Sequence, residues 1–172
     1  MVFILLYIGA TIAANYTATW FLYFPVFGQV SVATFIFGIT FTARDRVHSR
    51  YGRTAVYKMI GAAALLNLIV TLVGGVEWRI VLASLVAIVL AETADTEIYQ
   101  YYLANSWTLR VLKSNSVSIP LDSLLFNTIA FAGVFTPSVI ASIIFGEIVF
   151  KGCVSAVMAL RPLEYLRAHR VR

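Results

Sequence analysis

The sequence predicts an all-α integral membrane protein of six transmembrane helices, and three observations carry that prediction. First, the 172 residues are 60% hydrophobic and 12% charged, with a mean hydropathy of +0.87. Soluble domains are about 45–50% apolar and about 25% charged. Second, the charges are confined: none occurs from Met1 to Ala43, Met59 to Val76, Ile80 to Ala91 or Ser123 to Gly146. A span needs about 20 apolar residues, so these windows suit helices that cross a bilayer. Third, the Lys and Arg residues fall in alternate connections between the windows, as loops on one side of a membrane would.

Charge and Pro/Gly positions divide the chain, read as one transmembrane domain over 1–172, into helices at about 2–24, 30–43, 54–74, 79–103, 117–136 and 138–160. The first has no charged residues ahead of its apolar run, so it is read as a span and not as a cleaved signal. The second is short, and its limits are expected to reach into the basic segment that follows. Pro25, Pro120, Pro137 and Pro162 all fall at predicted ends, where a missing N–H is tolerated.

Orientation follows from the cations. Arg44, Arg46, Arg50, Arg53 and Lys58 follow the second span, Arg110 and Lys113 follow the fourth, and Arg161, Arg167, Arg170 and Arg172 form the tail. Those are eleven of the thirteen Lys and Arg residues; Arg79 is on the other side and Lys151 within span six. Short loops rich in Lys and Arg stay in the cytoplasm, so a multi-pass protein of the cytoplasmic (inner) membrane with both termini inside is expected. The net charge of +5 is thereby a topology signal, and no nucleic-acid partner is predicted. The single Cys153 forms no internal disulfide.

Against this background "LAETADTEIYQYY", residues 90–102, is unexpected. It sets Glu92, Asp95 and Glu97 directly after an apolar run. At 100° per residue Glu92, Asp95, Tyr99 and Tyr102 lie within about 80° of one another, and Glu97 points away. Carboxylates facing lipid cost several kcal/mol each, so Glu92 and Asp95 should face the bundle interior or a wet cavity. In span five Ser118 and Asp122 share a face with Phe126, which suggests a polar chamber between two acid-bearing helices. Asp45 and Asp122 could instead pair with Arg44, Arg46, Arg110 or Lys113, whereas Glu92, well above the interface, is harder to explain in that way. Glu147 and Lys151 form an i,i+4 pair in the favourable order, read as mutual neutralisation. In span one Ala10, Ala14 and Ala18 form a small-residue ridge suited to helix packing, beside a polar stripe of Thr11 and Asn15.

Catalysis is not expected. His48 and His169 lie in predicted cytoplasmic segments, and the sequence has no HExxH, no GxxxxGK loop and no paired cysteines, so neither a metal site nor a cofactor site is predicted. Buried carboxylates without a nucleophile or metal ligands suit binding and transport.

The stretch "WTLRVLKSNSVSIPLDSLLFNTIAFAG", Trp107 to Gly133, resembles the vitamin-uptake-like (VUT) family, whose members include the queuosine precursor transporters. The pattern is matched by Trp107, Arg110, Ser114-Asn115, Ser118, Asp122-Ser123, Phe126 and Ile129 to Phe131. Upstream, Glu92 and Asp95 fit the family's acidic helix end, Asp45 with Tyr51-Gly52 its loop pattern, and Asn15 its first-span Asn. The chain departs from the pattern at Ser49, where many members carry an acid.

The resemblance implies import of a 7-deazaguanine such as preQ0 or preQ1, and a fold similar to the six-helix substrate-binding components of energy-coupling-factor transporters. A carboxylate can accept two parallel hydrogen bonds from the N1–H and amino group of such a ring, and an aromatic wall can stack on its face. The expected substrate set is then Asn15, Glu92, Asp95, Tyr99, Asn115, Ser118, Asp122 and Phe126. Glu92 or Asp95 would read the guanine-like edge, with Asn15 and Asn115 completing it and Phe126, Tyr99 and Trp107 as candidate walls. Asp122 and Arg110 would organise an inner gate with Asp45 and Trp107 as supporting polar groups, and Asn115 and Ser118 would cap span five. Three roles stay open: a self-sufficient carrier, a binding component that needs coupling subunits, and a non-transporting membrane scaffold. Membrane lipid and a second copy of the chain are further expected partners.

Overall fold

The computed structural model describes residues 1–26 and 28–160; the basic tail, with Arg161, Arg167, Arg170, Arg172, His169 and Pro162, lies outside them. Among the described residues are six helices and one hairpin. In order they are α1 (Val2–Thr17), β1 (Phe21–Phe24), β2 (Gly28–Ser31), α2 (Val32–Tyr51), α3 (Arg53–Val73), α4 (Trp78–Tyr101), α5 (Trp107–Phe131) and α6 (Pro137–Leu160).

Three predicted boundaries are corrected. The first helix ends at Thr17 and not near Phe24, because "FLYF" and "GQVS" pair as an antiparallel hairpin with Phe21 opposite Ser31 and Phe24 opposite Gly28. Aromatic residues favour strands. Pro25 and Gly28, the latter at φ 76°, supply the turn chemistry between them. The second helix runs on to Tyr51, since no breaker stands between Gly38 and Gly52. Ser31 caps its start by accepting the Ala33 N–H at 3.2 Å, and Gly52 at φ 78° ends it. Arg44 and Asp45 are therefore helical residues, one turn apart from His48 and not in a loop.

The fifth helix begins at Trp107, well ahead of the predicted start. Its cap is Ser106, which accepts the Leu109 N–H at 3.4 Å, so Asn115 and Ser118 do not cap it. Pro120 is not at an end but inside α5, where it lacks the N–H that the Ser116 carbonyl would accept. Pro137 does open α6.

Packing is between neighbours in sequence. Helices α4 and α5 run antiparallel: Arg79 reaches the Ala132 carbonyl at 2.6 Å, and Ser118 reaches Asp95. One apolar cluster joins Ala14, Ala18, Ala33, Ala83, Ala87 and Phe126; a second joins Tyr7, Val47, Val56, Ala63 and Ile88. Ala14 and Ala18 are thus packed inside the bundle, while Ala10 is half-buried.

The outer surface is apolar. Leu5, Leu65, Ile69, Leu82, Val89, Leu124, Phe145 and Val157 are all exposed, far more than isolated surface hydrophobics would require. Residues Arg53–Thr71 and Pro137–Leu160 are each long and apolar enough to cross a membrane. An apolar exterior around charged residues in the interior reverses the soluble pattern.

Candidate functional site

Arg44 is the centre of the buried polar network, and its side chain is 1% exposed. Its Nη1 donates to Glu92 Oε2 at 2.7 Å. Its Nη2 donates to Asp45 Oδ1 at 3.0 Å and Asn115 Oδ1 at 3.1 Å, and Nε also faces Asp45 Oδ1 at 3.3 Å. Asp95 Oδ2 lies 2.8 Å from Nη2. That contact is a buried ion pair, so the same guanidinium answers Asp95 as well as Asp45 and Glu92. Asp95 Oδ1 accepts from Ser118 Oγ at 2.7 Å, and Asn115 Nδ2 donates to Ser155 Oγ at 2.8 Å. One guanidinium thereby ties α2 to α4 and α5, and Asn115 carries the link to α6.

Lys151 builds a second node between α5 and α6. Its ammonium donates to Asp122 Oδ2 at 2.9 Å, Glu147 Oε2 at 2.9 Å and Ser123 Oγ at 3.1 Å, and it stands 4.9 Å from the Phe37 ring centre. All three of its N–H donors are used. The two nodes adjoin, because Asp122 lies within electrostatic reach of Glu92. At that junction Glu92, Asp122 and Phe126 keep 5%, 6% and 8% of their surface open, while Asp95 and Asn127 keep none. Phe126 stands one helical turn beyond Asp122 on the same buried face of α5.

The residues predicted for the site are thus largely gathered, but several of their expected roles change. Glu92 was the acid hardest to account for by pairing with an arginine; it is paired with Arg44, because α2 carries that cation up into the bundle. Asp122 and Arg110 do not form a gate pair. Asp122 bonds Lys151, whereas the Arg110 guanidinium lies 5.1 Å from the Tyr99 ring centre and 5.9 Å from that of Trp107. Tyr99 is fully buried between His48, at 4.4 Å between ring centres, and Trp107, at 6.2 Å, so its faces are already occupied by protein groups.

Asn15 is buried on α1, with no partner for Nδ2 among the described residues. It lies two turns along the helix from Tyr7, the residue that faces Glu92. Glu97 points outward as expected, accepting from Arg53 at 3.1 Å and from Tyr57 at 2.5 Å.

The members missed were Arg44 and Ser155, and for Lys151 its bond to Asp122. Arg44 was offered as a partner for Asp45 or Asp122 but not for Glu92 or Asp95; the unbroken helical stretch up to Gly52 was the signal that it continues α2. A separate cleft of about 780 Å³ opens beside the far ends of α4 and α5, lined among others by Gln100, Tyr102, Lys113 and Ser116. None of the buried carboxylates lines it. Among the described residues no group of acids, His and Cys is arranged to hold a metal ion.

An apolar exterior closed around two ion-pair nodes defines a helical membrane protein whose interior is built to handle polar groups. The family model described as "Putative vitamin uptake transporter" matches residues 72–166, more than half of the chain. No curated protein and no solved structure matches it. The chain belongs to the vitamin uptake transporter family. The matched segment carries Glu92, Asp95, Asn115, Ser118, Asp122, Phe126, Glu147 and Lys151, while Asn15, Arg44 and Asp45 precede it.

Proposed function

We propose that this chain is a multi-pass importer of a flat, guanine-like heterocycle, a queuosine precursor such as preQ0 or preQ1. Its six helices span the cytoplasmic membrane with both termini inside. The observation that carries the reading is the pair of buried acids Glu92 and Asp122, within electrostatic reach of each other where the two nodes adjoin, with Phe126 one turn along α5. Glu92 and Asp122 are acceptors for the adjacent N1–H and amino donors of a deazaguanine, through short charge-assisted bonds. Phe126 offers a ring to stack on the heterocycle. Arg44 and Lys151 hold the two acids in place and orient their free lone pairs. Membership of a transporter family favours transport over chemistry.

The test is accumulation of labelled preQ0 and preQ1 by cells that lack precursor synthesis and express this chain alone. Uptake without partner subunits establishes a self-sufficient carrier. Glu92→Gln and Asp122→Asn should each lower uptake about tenfold or more, the equivalent of one charged hydrogen bond of about 1.5–3 kcal/mol. Both proteins should still insert, as read by membrane-fraction yield. Full activity in both variants would discard the assignment.

A further inference from the structure

The cleft of about 780 Å³ beside the ends of α4 and α5 belongs to neither ion-pair node. Ile98, Tyr101 and Tyr102 line it from α4, and Lys113, Ser116 and Val117 from α5. It lies at the opposite end of α5 from the hairpin, whose Phe21 ring packs on Phe131 at 5.5 Å between centres.

Its charge is positive. Lys113 is exposed, and among the described residues no carboxylate pairs with its ammonium. Glu97 also lines the cleft, but its carboxylate already accepts from Arg53 at 3.1 Å and from Tyr57. The cation is therefore left to answer an anion from outside the chain.

The surroundings of that cation are those of a membrane–water boundary. Tyr101 and Tyr102 meet edge to face with ring centres 5.1 Å apart, and tyrosines concentrate at the headgroup level. Further along the same faces the surface turns apolar. At 100° per residue Leu90 shares a stripe with Glu97 and Tyr101 on α4, and Lys113 shares one with Val117 and Leu124 on α5. Leu90, Val117 and Leu124 are all exposed. From Lys113 to Leu124 the helix rises about 16 Å, close to half of a hydrocarbon core of about 30 Å. A cation at one end of an apolar track one leaflet long matches the two parts of a lipid.

Resting on the membrane placement proposed above, we propose that this cleft binds one anionic diacyl phospholipid of the cytoplasmic leaflet. Its phosphate pairs with Lys113, and an acyl chain lies along Val117, Leu124 and Leu90. Basic pockets between helices on the cytoplasmic side suit such headgroups. A zwitterionic headgroup fits less well, because its ammonium would approach Lys113 with the one nearby carboxylate, Glu97, already engaged. A free phosphate would leave the apolar track unused. The site is independent of which solute the protein carries.

The experiment titrates the full chain, purified in detergent, with dioleoylphosphatidylglycerol and counts retained lipids by native mass spectrometry. One lipid per chain should be retained, several-fold more readily than dioleoylphosphatidylcholine. Lys113→Ala should weaken retention about fivefold, the equivalent of about 1 kcal/mol for one lysine near an anionic surface. Ser116→Trp, which fills the cleft and keeps its charge, should weaken it at least as much; if that variant does not fold, the Lys113 result decides. Lys58→Ala removes an exposed cation outside the cleft and should change nothing.

Equal retention of the two lipids would overturn the proposal, as would an equal loss in Lys58→Ala, which would make the attraction a property of the whole basic surface. Undiminished retention in Lys113→Ala or in a folded Ser116→Trp would place the lipid elsewhere. Displacement of the lipid by an equal concentration of glycerol phosphate would show that the acyl track contributes nothing, and would overturn the lipid as occupant. None of these outcomes touches the importer reading, which stands or falls on uptake.

Discussion

Arg44 and Arg53 make the same kind of bond in opposite surroundings. Arg44 is sealed, and Glu92 and Asp95 show 7% and 1% of their side chains. Arg53 and Glu97 show 51% and 48%, and their pair is completed by Tyr57. In water the attraction between exposed ions is largely offset by lost solvation and side-chain freedom, so such pairs contribute about 0–1 kcal/mol. Sealed inside, a pair adds little stability relative to an apolar core, but removing one member leaves the other unsolvated. The buried node is therefore an arrangement that the fold must keep intact, and the exposed one a decoration it can lose.

The largest break in that contrast is Arg44→Ala. It strands Asp45, Glu92 and Asp95 together and should cost about 3–5 kcal/mol, read as a collapse of folded yield or of thermal midpoint in detergent. Lys151→Ala should follow, toward the lower end of that range, because it strands two acids, Asp122 and Glu147, and not three. Ser118→Ala removes the hydroxyl that donates to Asp95 Oδ1 and should cost about 1.5–3 kcal/mol, measured by the same unfolding assay. Glu97→Gln should be smallest, shifting stability by less than about 1 kcal/mol, with uptake unchanged. If Glu97→Gln proved as damaging as Arg44→Ala, burial would not be what separates the two regions.

Legibility followed the range of each interaction. The helical stripe from Glu92 through Asp95 to Tyr99 and the face shared by Ser118, Asp122 and Phe126 are local periodicities, and all of these side chains are buried. The Glu147–Lys151 pair, four positions apart, formed as its spacing predicts. Arg44 was hidden because one basic segment holds several arginines that look alike as a string. Only the unbroken turn of α2 carries Arg44 into the bundle while it leaves Arg50 exposed at the helix end. The hairpin at Phe21–Ser31 was hidden for a related reason: an apolar run with no charge reads equally as the end of a helix or as a short strand.

The sequence by itself determined that this is a helical membrane protein with acids on inward faces, because apolar windows and helical period are properties of contiguous residues. It could not determine which cation answers which acid. Glu92 and Asn115 meet Arg44 across 48 and 71 positions, and those distances close only when α2, α4 and α5 pack together. Tertiary structure alone decided that two cations serve five carboxylates, because pairing in a low-dielectric interior is set by which atoms come within about 3 Å, and no linear pattern records that.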